Sequence, residues 1–456
     1  MSINGTPGVI LTPQNIELYK PALNAYSPAD LADLAANKTS SERTLIFNSI
    51  SPQLAASTFE YLPFYVQKEV LNALPSSQAA VLLNNLSPDD RTAFLEELPT
   101  DVSNQLLKYL TPEERSLTLK LLGYPEGSVG RLMSPDYIAV KMDWTIKEVL
   151  DYIRAHGRDS ETINVIYVVD DQGKLIDDLR IRELLLAPFD ATIADIADSK
   201  FITLSVTEDE EKAVNVFRKY NRVALPVVDN RGILLGLVTI DDILHVAEKE
   251  NTEDMQKIGG VEALDEPYMQ IPFLTLMRKR ASWLVILFLG EMLTASAMGF
   301  FSDEISKAVV LALFLPLIIS SGGNAGSQAS TLIIRAMALG EVTLKDYWRV
   351  MRREILSGLF LGLVLGCIGF LRVSAWTLFT DIYGVHWLLI ALTIFFSLIG
   401  VVLWGTLMGS MLPLVLKFFR IDPATSSTPT VATLVDVTGV IIYFSIALFI
   451  LQGTLL

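Results

Sequence analysis

Residues 315–335 read LPLIISSGGNAGSQASTLIIR and decide how the second half of the chain folds. The stretch continues a long apolar run, yet it carries Gly322, Gly323, Asn324 and further small or polar residues where a membrane helix normally carries leucine and valine. Hydrocarbon tolerates such groups only where they face protein or a water-filled path. Close helix packing through small residues explains the glycines and serines too. The stretch therefore predicts either a tight helix contact or the wall of a pathway.

Two carboxylates lie in other apolar segments. Asp436 stands in VATLVDVTGVIIYF near the start of the last segment, and Glu291 stands in LGEMLTAS near the middle of the first. Ionisable side chains inside membrane segments usually face a bundle interior or water and mark an ion path. Packing does not explain Asp436, so the pattern favours a cation pathway. Glu291 either lines the same path or pairs locally with a hydroxyl group.

Charge is divided unevenly along the 456 residues, of which 51% are hydrophobic. Residues 1–270 hold 24 basic and 42 acidic side chains, whereas residues 271–456 hold 12 and 9. A strongly acidic half thus precedes an apolar half. The acidic half argues against nucleic acid and anionic lipid as partners and favours cations. The single cysteine, Cys367, excludes a disulfide scaffold within one chain.

Five apolar segments are long enough to cross a membrane, and we place them at 281–301, 306–335, 355–377, 386–416 and 430–454. The second and fourth exceed the usual length of about 20 residues, so we expect tilt or a break in them. Basic residues concentrate before the first segment and in alternate loops. The positive-inside rule then predicts a multi-pass cell-membrane protein, surrounded by lipid, with residues 1–280 in the cytoplasm and the C-terminus outside.

Residues 27–125 carry an internal repeat. Prolines recur at nearly regular spacing, mostly after serine, threonine or leucine: Pro28, Pro52, Pro63, Pro75, Pro88, Pro99 and Pro112. Serine or threonine before proline is typical of a helix N-cap followed by proline in the first turn. Each unit is then a helix of about two to three turns, too short to bury its apolar face alone. We expect a superhelical stack that acts as a scaffold or sensor arm.

Residues 134–250 resemble a tandem pair of CBS domains. The second unit fits closely, with a strand at 201–206, a helix at 208–220 and the runs 224–229 and 236–244. The first unit departs after Gly173, where Leu175–Leu179 reads LIDDL instead of a small, glycine-containing turn. Such pairs usually sense small ligands, often adenine nucleotides, between their units. ATP at this pair therefore stays an open expectation.

In this order the parts resemble the MgtE family of bacterial Mg²⁺ channels and transporters, over nearly the whole chain. The most specific matches are Ser321–Gln328, Thr331–Arg335, Asp422–Ala424 and Val431–Gly439. The resemblance implies a multidomain fold. We expect an α-helical superhelical N domain at 1–130, α/β tandem CBS domains at 131–246, an acidic, plug-like linker helix at 247–275 and an all-α transmembrane domain with about five spans at 276–456.

The resemblance also implies a homodimer that takes up Mg²⁺ through a pore on its two-fold axis, where Asp436 faces hydrated Mg²⁺. Because Mg²⁺ sheds water reluctantly and is usually held by one or two carboxylates, one aspartate per chain suits this ion. Cytoplasmic Mg²⁺ would close the pore by binding acidic faces. The matching positions are Asp209, Glu211, Asp242, Glu250, Glu253 and Asp254. Asn221 and His245 stand where acidic residues are expected. This departure predicts that pore closure depends less steeply on the Mg²⁺ concentration.

Two other hypotheses remain. A broader divalent-cation transporter for Co²⁺, Mn²⁺ or Ni²⁺, controlled by nucleotide at the CBS pair, would keep the same fold. A membrane-anchored CBS sensor would use its spans only as an anchor, but Asp436 and the glycine-rich second span argue against it. An enzyme is not expected, because the three histidines are scattered and the chain has no Walker, nucleophile-elbow or HExxH pattern.

Overall fold

The computed structural model describes residues 10–264, 268–426 and 428–455. The chain divides into two compact units at Glu250. The first unit begins with short helices that pack mainly on the helix next but one in sequence, and most of them share one apolar core. They are α1 (Ile16–Leu23), α2 (Pro28–Ala36), α3 (Ser40–Ser49), α4 (Pro52–Glu60), α5 (Phe64–Ala73), α6 (Ser76–Asn85), α7 (Pro88–Glu96), α8 (Thr100–Leu106) and α9 (Pro112–Leu122).

The proline repeat defines where these helices begin. Ser27, Ser51, Ser87 and Thr111 cap α2, α4, α7 and α9 with their side chains, and proline follows each cap in the first turn. After leucine the proline itself occupies the capping position, as at the starts of α5, α6 and α8. The predicted stack of short helices is confirmed.

Two similar α/β units follow. The first contains α10 (Val129–Leu132), β1 (Ala139–Val140), α11 (Ile146–His156), β2 (Val165–Val169), β3 (Leu175–Arg180), α12 (Ile181–Leu186) and α13 (Ile193–Ile196). The second contains β4 (Leu204–Ser205), α14 (Glu210–Tyr220), β5 (Ala224–Val228) and β6 (Leu234–Thr239), and α15 (Ile240–Ile258) follows. Each sheet has one parallel and one antiparallel pair, in the orders β1-β2-β3 and β4-β5-β6.

The unusual LIDDL run is an ordinary strand of this fold. It forms β3, which pairs with β2 through the same register shift that joins β6 to β5. Its two aspartates have separate tasks. Asp177 accepts hydrogen bonds from the backbone N–H groups of Asp198 and Ser199, and buried Asp178 forms an ion pair with Arg222. The sequence departure therefore changes side-chain contacts and leaves the strand in place.

The second compact unit of the chain begins at Asn251. Among the residues that the structure describes, it contains five helices that are long and apolar enough to cross a membrane. The first span is α16 (Phe273–Phe300), and the short α17 (Ser302–Lys307) and α18 (Val309–Ala312) follow it. The second span is completed by α19 (Leu315–Ala338), the third is α20 (Tyr347–Trp376), the fourth is α21 (Trp387–Phe418) and the fifth is α22 (Thr428–Leu451).

The spans differ from the apolar segments in instructive ways. The first and third spans begin eight residues before the apolar segments, at Phe273 and Tyr347, because each helix includes the basic residues that precede its apolar stretch. The expected break in the second span lies between Ala312 and Leu315. Pro316 therefore lies in the first turn of α19 and does not kink it, whereas Pro413 lies inside the unbroken α21.

One buried arginine ties the end of the helical stack together. Arg91 on α7 is fully buried and donates hydrogen bonds to the carbonyl oxygens of Leu83 and Leu86 and to the hydroxyl of Thr118. Its guanidinium group also pairs with Glu114 on α9. A buried guanidinium with all these acceptors is well compensated, but removing it leaves several buried acceptors unpaired.

We predict that Arg91→Ala destabilises the helical stack by about 3–5 kcal/mol, the usual loss when one partner of a buried ion pair is removed. Hydrogen–deuterium exchange of α7 and α9 in the full-length protein measures the effect. Arg115→Ala, at an exposed position on α9, is the matched control and should change little. Equal exchange in the two variants would show that Arg91 does not hold these helices.

Candidate functional site

Glycines let the second and fourth spans approach until their backbones touch. A Cβ atom on Gly326 would lie 2.8 Å from the carbonyl oxygen of Gly405, and Cβ atoms on Gly405 and Gly409 would overlap the carbonyl oxygens of Gly322 and Gly326. Any larger side chain at these positions separates the helices. Packing thus accounts for Gly322 and Gly326 in the opening stretch.

Gly323 lies on another side of the same helix. The nearest atoms to a Cβ atom built there are Ala432 Cβ and Asp436 Oδ1, both at 3.7 Å. Asp436 is half-buried, and its side chain lies within hydrogen-bonding distance of Glu291 on the first span. The structure therefore brings together three of the predicted pathway residues, from the first, second and fifth spans.

A polar strip runs along the exposed side of the second span. Asn324, Gln328 and Thr331 are exposed in the single chain, at the spacing of one helix face. The Asn324 amide has one hydrogen bond within the described residues, a long one of 3.5 Å to Ser320 Oγ. Amide side chains of this kind do not face hydrocarbon. This face therefore requires protein or water against it.

A cluster of carboxylates lies in the first unit where the helical stack meets the α/β units. It contains Glu60, Asp89, Asp90, Glu161 and Asp242. Burial and then the charge of Asp90 raise the pKa of Glu60 to about 8. Burial raises the pKa of Asp242 to about 7, with a further contribution from Asp241 and Asp90.

Asp89 is the most confined member of this acidic cluster. It is buried, burial and the charge of Asp242 raise its pKa well above the usual range, and its Oδ1 atom has no hydrogen-bond partner. An unpartnered buried carboxylate oxygen is costly. The cluster is therefore poised to accept a cation or protons. Among the described residues no three acidic, cysteine or histidine side chains converge on one metal position, so the ion would be held through its waters.

The six regulatory positions predicted from the sequence lie in different places. Asp242 belongs to the acidic cluster. Asp209 and Glu211 are exposed at the start of α14, where Asp209 caps the helix by accepting a hydrogen bond from the Glu211 N–H. Glu250 and Asp254 lie further along α15 and have other partners. Glu253 forms an ion pair with Lys257 one helical turn away.

The two departures from the acidic pattern have structural contexts. Asn221 ends α14 in the left-handed conformation, with φ 50°, which asparagine tolerates better than most residues. His245 lies near Asp90, whose pKa is raised by burial, and the contribution of His245 partly opposes this shift. Sequence reasoning missed Glu60, Asp89, Asp90 and Glu161, because residues far apart in the chain form the cluster and none stands out in a local pattern.

A cavity of about 680 Å³ is lined by residues of the first α/β unit and of the segment that follows it, together with Arg222 of the second α/β unit. Its lining includes the basic side chains of Arg180, Arg182, Lys200 and Arg222 and the acidic ones of Asp178, Glu183 and Asp198. A nitrogen of the Arg222 guanidinium lies 3.0 Å from an oxygen of Asp178, and this ion pair joins the second α/β unit to the first α/β unit. Four basic groups around one opening are suited to an anionic ligand such as a phosphate.

The acidic cluster predicts a pH dependence. The folded state keeps protons on Glu60 and Asp242 that the unfolded chain releases. Ionising these two groups therefore lowers the stability of the folded state, an effect that is absent below about pH 4 and complete above about pH 8. Without divalent ions, we expect the melting temperature of the first unit to fall across this interval. Asp90→Asn removes one repelling charge and should raise the melting temperature at pH 8 by several degrees.

Scanning fluorimetry of the full-length protein in EDTA across this pH range measures the effect. Asp101→Asn, at an exposed position in the first turn of α8, is the matched control. A melting temperature that does not change with pH in the wild type, or an Asp90→Asn variant no more stable than the control, would contradict the repulsion account.

Comparison with known proteins identifies the same parts. Residues 315–446 match the MgtE family model described as a divalent cation transporter. Residues 26–127 match the MgtE intracellular N domain, and residues 129–190 and 193–249 each match a CBS domain. These matches confirm the helical stack, the CBS pair and the helical membrane domain as the fold of the chain.

Relatives cover almost the full length. A magnesium transporter MgtE of Thermus thermophilus is 37% identical over 437 residues, which are 90% of this chain and 95% of the relative. One of Bacillus subtilis is 27% identical over 442 residues, covering 96% and 95%. The soluble part of a magnesium transporter is 26% identical with a TM-score of 0.50 and covers 52% of this chain and 93% of its own. The chain therefore belongs to the MgtE family of magnesium transporters, which are not enzymes.

Proposed function

We propose that this protein takes up Mg²⁺ through a path bordered by Asp436, on the two-fold axis of a homodimer in the cell membrane. The observation that carries the proposal is the meeting of Asp436, Glu291 and Gly323 from three different spans. Carboxylates brought together inside a membrane bundle attract cations, and a bare glycine beside them leaves room.

The small number of ligands favours an ion that keeps its water. Mg²⁺ is typically held by one or two carboxylates and retains several waters. Asp436 and Glu291 supply two carboxylates per chain, and the described residues offer no cage that would replace the whole hydration shell. Gly323, Asn324 and the hydroxyl groups nearby would border the hydrated ion.

The exposed polar strip supports the homodimer. Asn324, Gln328 and Thr331 face away from the helices of their own chain, where lipid would be unfavourable. A second copy related by a two-fold axis would place the same strip opposite, with water between the two. The path then has one Asp436 on each side.

The acidic cluster supports control by Mg²⁺ in the cytoplasm. Asp89, Asp90 and Asp242 repel one another without a cation, and bound hydrated Mg²⁺ would remove this repulsion and compact the first unit. We extend the predicted regulatory set, Asp209, Glu211, Asp242, Glu250, Glu253 and Asp254, by the newly found Glu60, Asp89, Asp90 and Glu161. The distribution of basic residues in the loops supports an orientation with residues 1–280 in the cytoplasm and the C-terminus outside.

The cavity lined by Arg222 and the first CBS domain supports a second proposal, that a nucleotide such as ATP modulates the protein. Arg180, Arg182, Lys200 and Arg222 would face the phosphates. Calorimetric titration of the full-length protein with ATP tests it, with Arg182→Ala as the variant.

The broader-metal alternative predicts that Co²⁺, Mn²⁺ or Ni²⁺ enters cells as readily as Mg²⁺.

Asp436→Ala should abolish rescue of a bacterium that lacks Mg²⁺ uptake and grows only at high external Mg²⁺. The reason is that the path loses the carboxylate that attracts the ion. Growth across an external Mg²⁺ series measures the effect, and cellular Co²⁺, Mn²⁺ and Ni²⁺ contents measured in parallel test the selectivity.

The matched control is Asp381→Asn, which changes an exposed carboxylate in the loop between the third and fourth spans. It should rescue growth like the wild type. If Asp436→Ala also rescues growth fully, with equal amounts of folded protein, the path does not run past Asp436.

A pair of adjacent glycines separates packing from pathway. Gly322→Ala places a Cβ atom 2.9 Å from Val435 and against Val401, so we expect a large loss of folded protein. Gly323→Ala meets nothing closer than 3.7 Å and should fold normally, yet it crowds Asp436 and should lower Mg²⁺ uptake. Thermal stability in detergent and growth rescue measure the two effects. Equal destabilisation by both changes would make position 323 a packing position.

A further inference from the structure

Lys257 connects the end of α15 to the segment that leads into the fifth span. Its Nζ atom lies 2.7 Å from Asp422 Oδ2 and also pairs with Glu253. The other oxygen of Asp422 accepts a hydrogen bond of 2.9 Å from the Ala424 N–H and caps the 3-10 turn at Pro423–Thr425. One ammonium group thus bridges two carboxylates, one on each side of the contact.

The chain after Lys257 is fastened to the first span by further contacts. Gly260 has φ 73° and packs between Trp283 and Pro429, where a Cβ atom would lie about 3.0 Å from both. The Gln256 side chain accepts a hydrogen bond from the Leu264 N–H, and Lys279 donates one to the Ala263 carbonyl oxygen. Lys257 therefore lies in the last turn of α15, just before a segment whose position these contacts fix.

A cation at this position removes the repulsion between Glu253 and Asp422. A divalent ion placed between two carboxylates would have the same effect. Because Lys257 belongs to the chain, its charge is present whatever the Mg²⁺ concentration. Any Mg²⁺ ion that approaches Glu253 must compete with this ammonium group.

We propose that Lys257 is a built-in cation that holds the end of α15 against the segment before the fifth span, at Asp422, without Mg²⁺. It thereby sets how pore closure depends on the Mg²⁺ concentration. The inference rests on the proposed function for its consequence, since it assigns the regulation of the same pathway. Lys257 is a positioning residue, because it touches the helix and the loop and not the path beside Asp436.

The consequence for gating follows from which cation fills the bridge. With Lys257 present, part of the contact exists before Mg²⁺ binds, so transport responds gradually to Mg²⁺. Without Lys257, the bare carboxylates repel, the contact opens at low Mg²⁺, and Mg²⁺ closes it by bridging them. The response then becomes steeper, while the transport rate of the open path stays the same.

Hydrogen–deuterium exchange of the full-length protein in lipid nanodiscs, in EDTA and in Mg²⁺, tests this directly. In EDTA we expect residues 251–264 and 422–426 to exchange about tenfold faster in Lys257→Met than in the wild type, the effect of losing a hydrogen bond between charged groups. Mg²⁺ should return the variant to wild-type exchange. Lys257→Arg keeps the charge and should stay protected in EDTA.

Lys345→Met, at an exposed lysine between the second and third spans, is the matched control and should exchange like the wild type. Wild-type exchange in Lys257→Met in EDTA would overturn the proposal, and so would failure of Mg²⁺ to restore protection. In liposomes, a steeper Mg²⁺ dependence of flux with an unchanged maximum supports it. Exchange does not require transport, so the outcome is independent of the Asp436 growth assay.

Discussion

The backbone contact between the second and fourth spans is the interaction on which the membrane half depends. Gly322 and Gly326 meet Gly405 and Gly409 so closely that no side chain fits between them. This contact fixes the rotation of the second span about its axis. The rotation in turn places Gly323 opposite Asp436 and leaves Asn324 and Gln328 on the outer face. One side of the second span thus packs against the fourth span, and another side borders the proposed pathway.

In the first compact unit, the interaction of corresponding importance is repulsion between the carboxylates of the acidic cluster. Its helices and CBS domains bring Glu60, Asp89, Asp90, Glu161 and Asp242 together at a cost in stability, because burial and mutual repulsion disfavour their charged forms. A structure that is destabilised without a cation can respond when one binds. In our proposal Mg²⁺ is that cation, and Lys257 supplies a fixed positive charge in the second unit that does not vary with it.

Much of the fold could be read from the sequence, because local patterns determine it. Serine or threonine before proline marked the helix starts, and apolar runs marked the spans. The predicted starts of two spans differ from the structure because each helix includes the basic residues before its apolar stretch and begins earlier, at Phe273 and Tyr347. The CBS strand β3 looked irregular because Asp177 and Asp178 serve loop and inter-domain contacts that only the folded chain reveals.

The candidate site was predictable only in part, for the same reason. Asp436 and Glu291 were visible as carboxylates in apolar segments, but their contact with each other was not. Asp89 and Asp90 look like ordinary first-turn residues of a helix, and Lys257 looks like one charge among many on α15. Their roles depend on partners distant in sequence, which a single sequence without its fold does not supply.

The central claim is that hydrated Mg²⁺ passes beside Asp436. Hexaamminecobalt(III) resembles Mg²⁺ with its six waters but cannot exchange its ligands, so it tests whether the path recognises the hydrated ion. The measurement is Mg²⁺ flux into liposomes that contain the purified protein, with and without this complex. Our account predicts that the complex competes with Mg²⁺ and blocks flux. Undiminished flux with the complex in large excess over Mg²⁺ would contradict it.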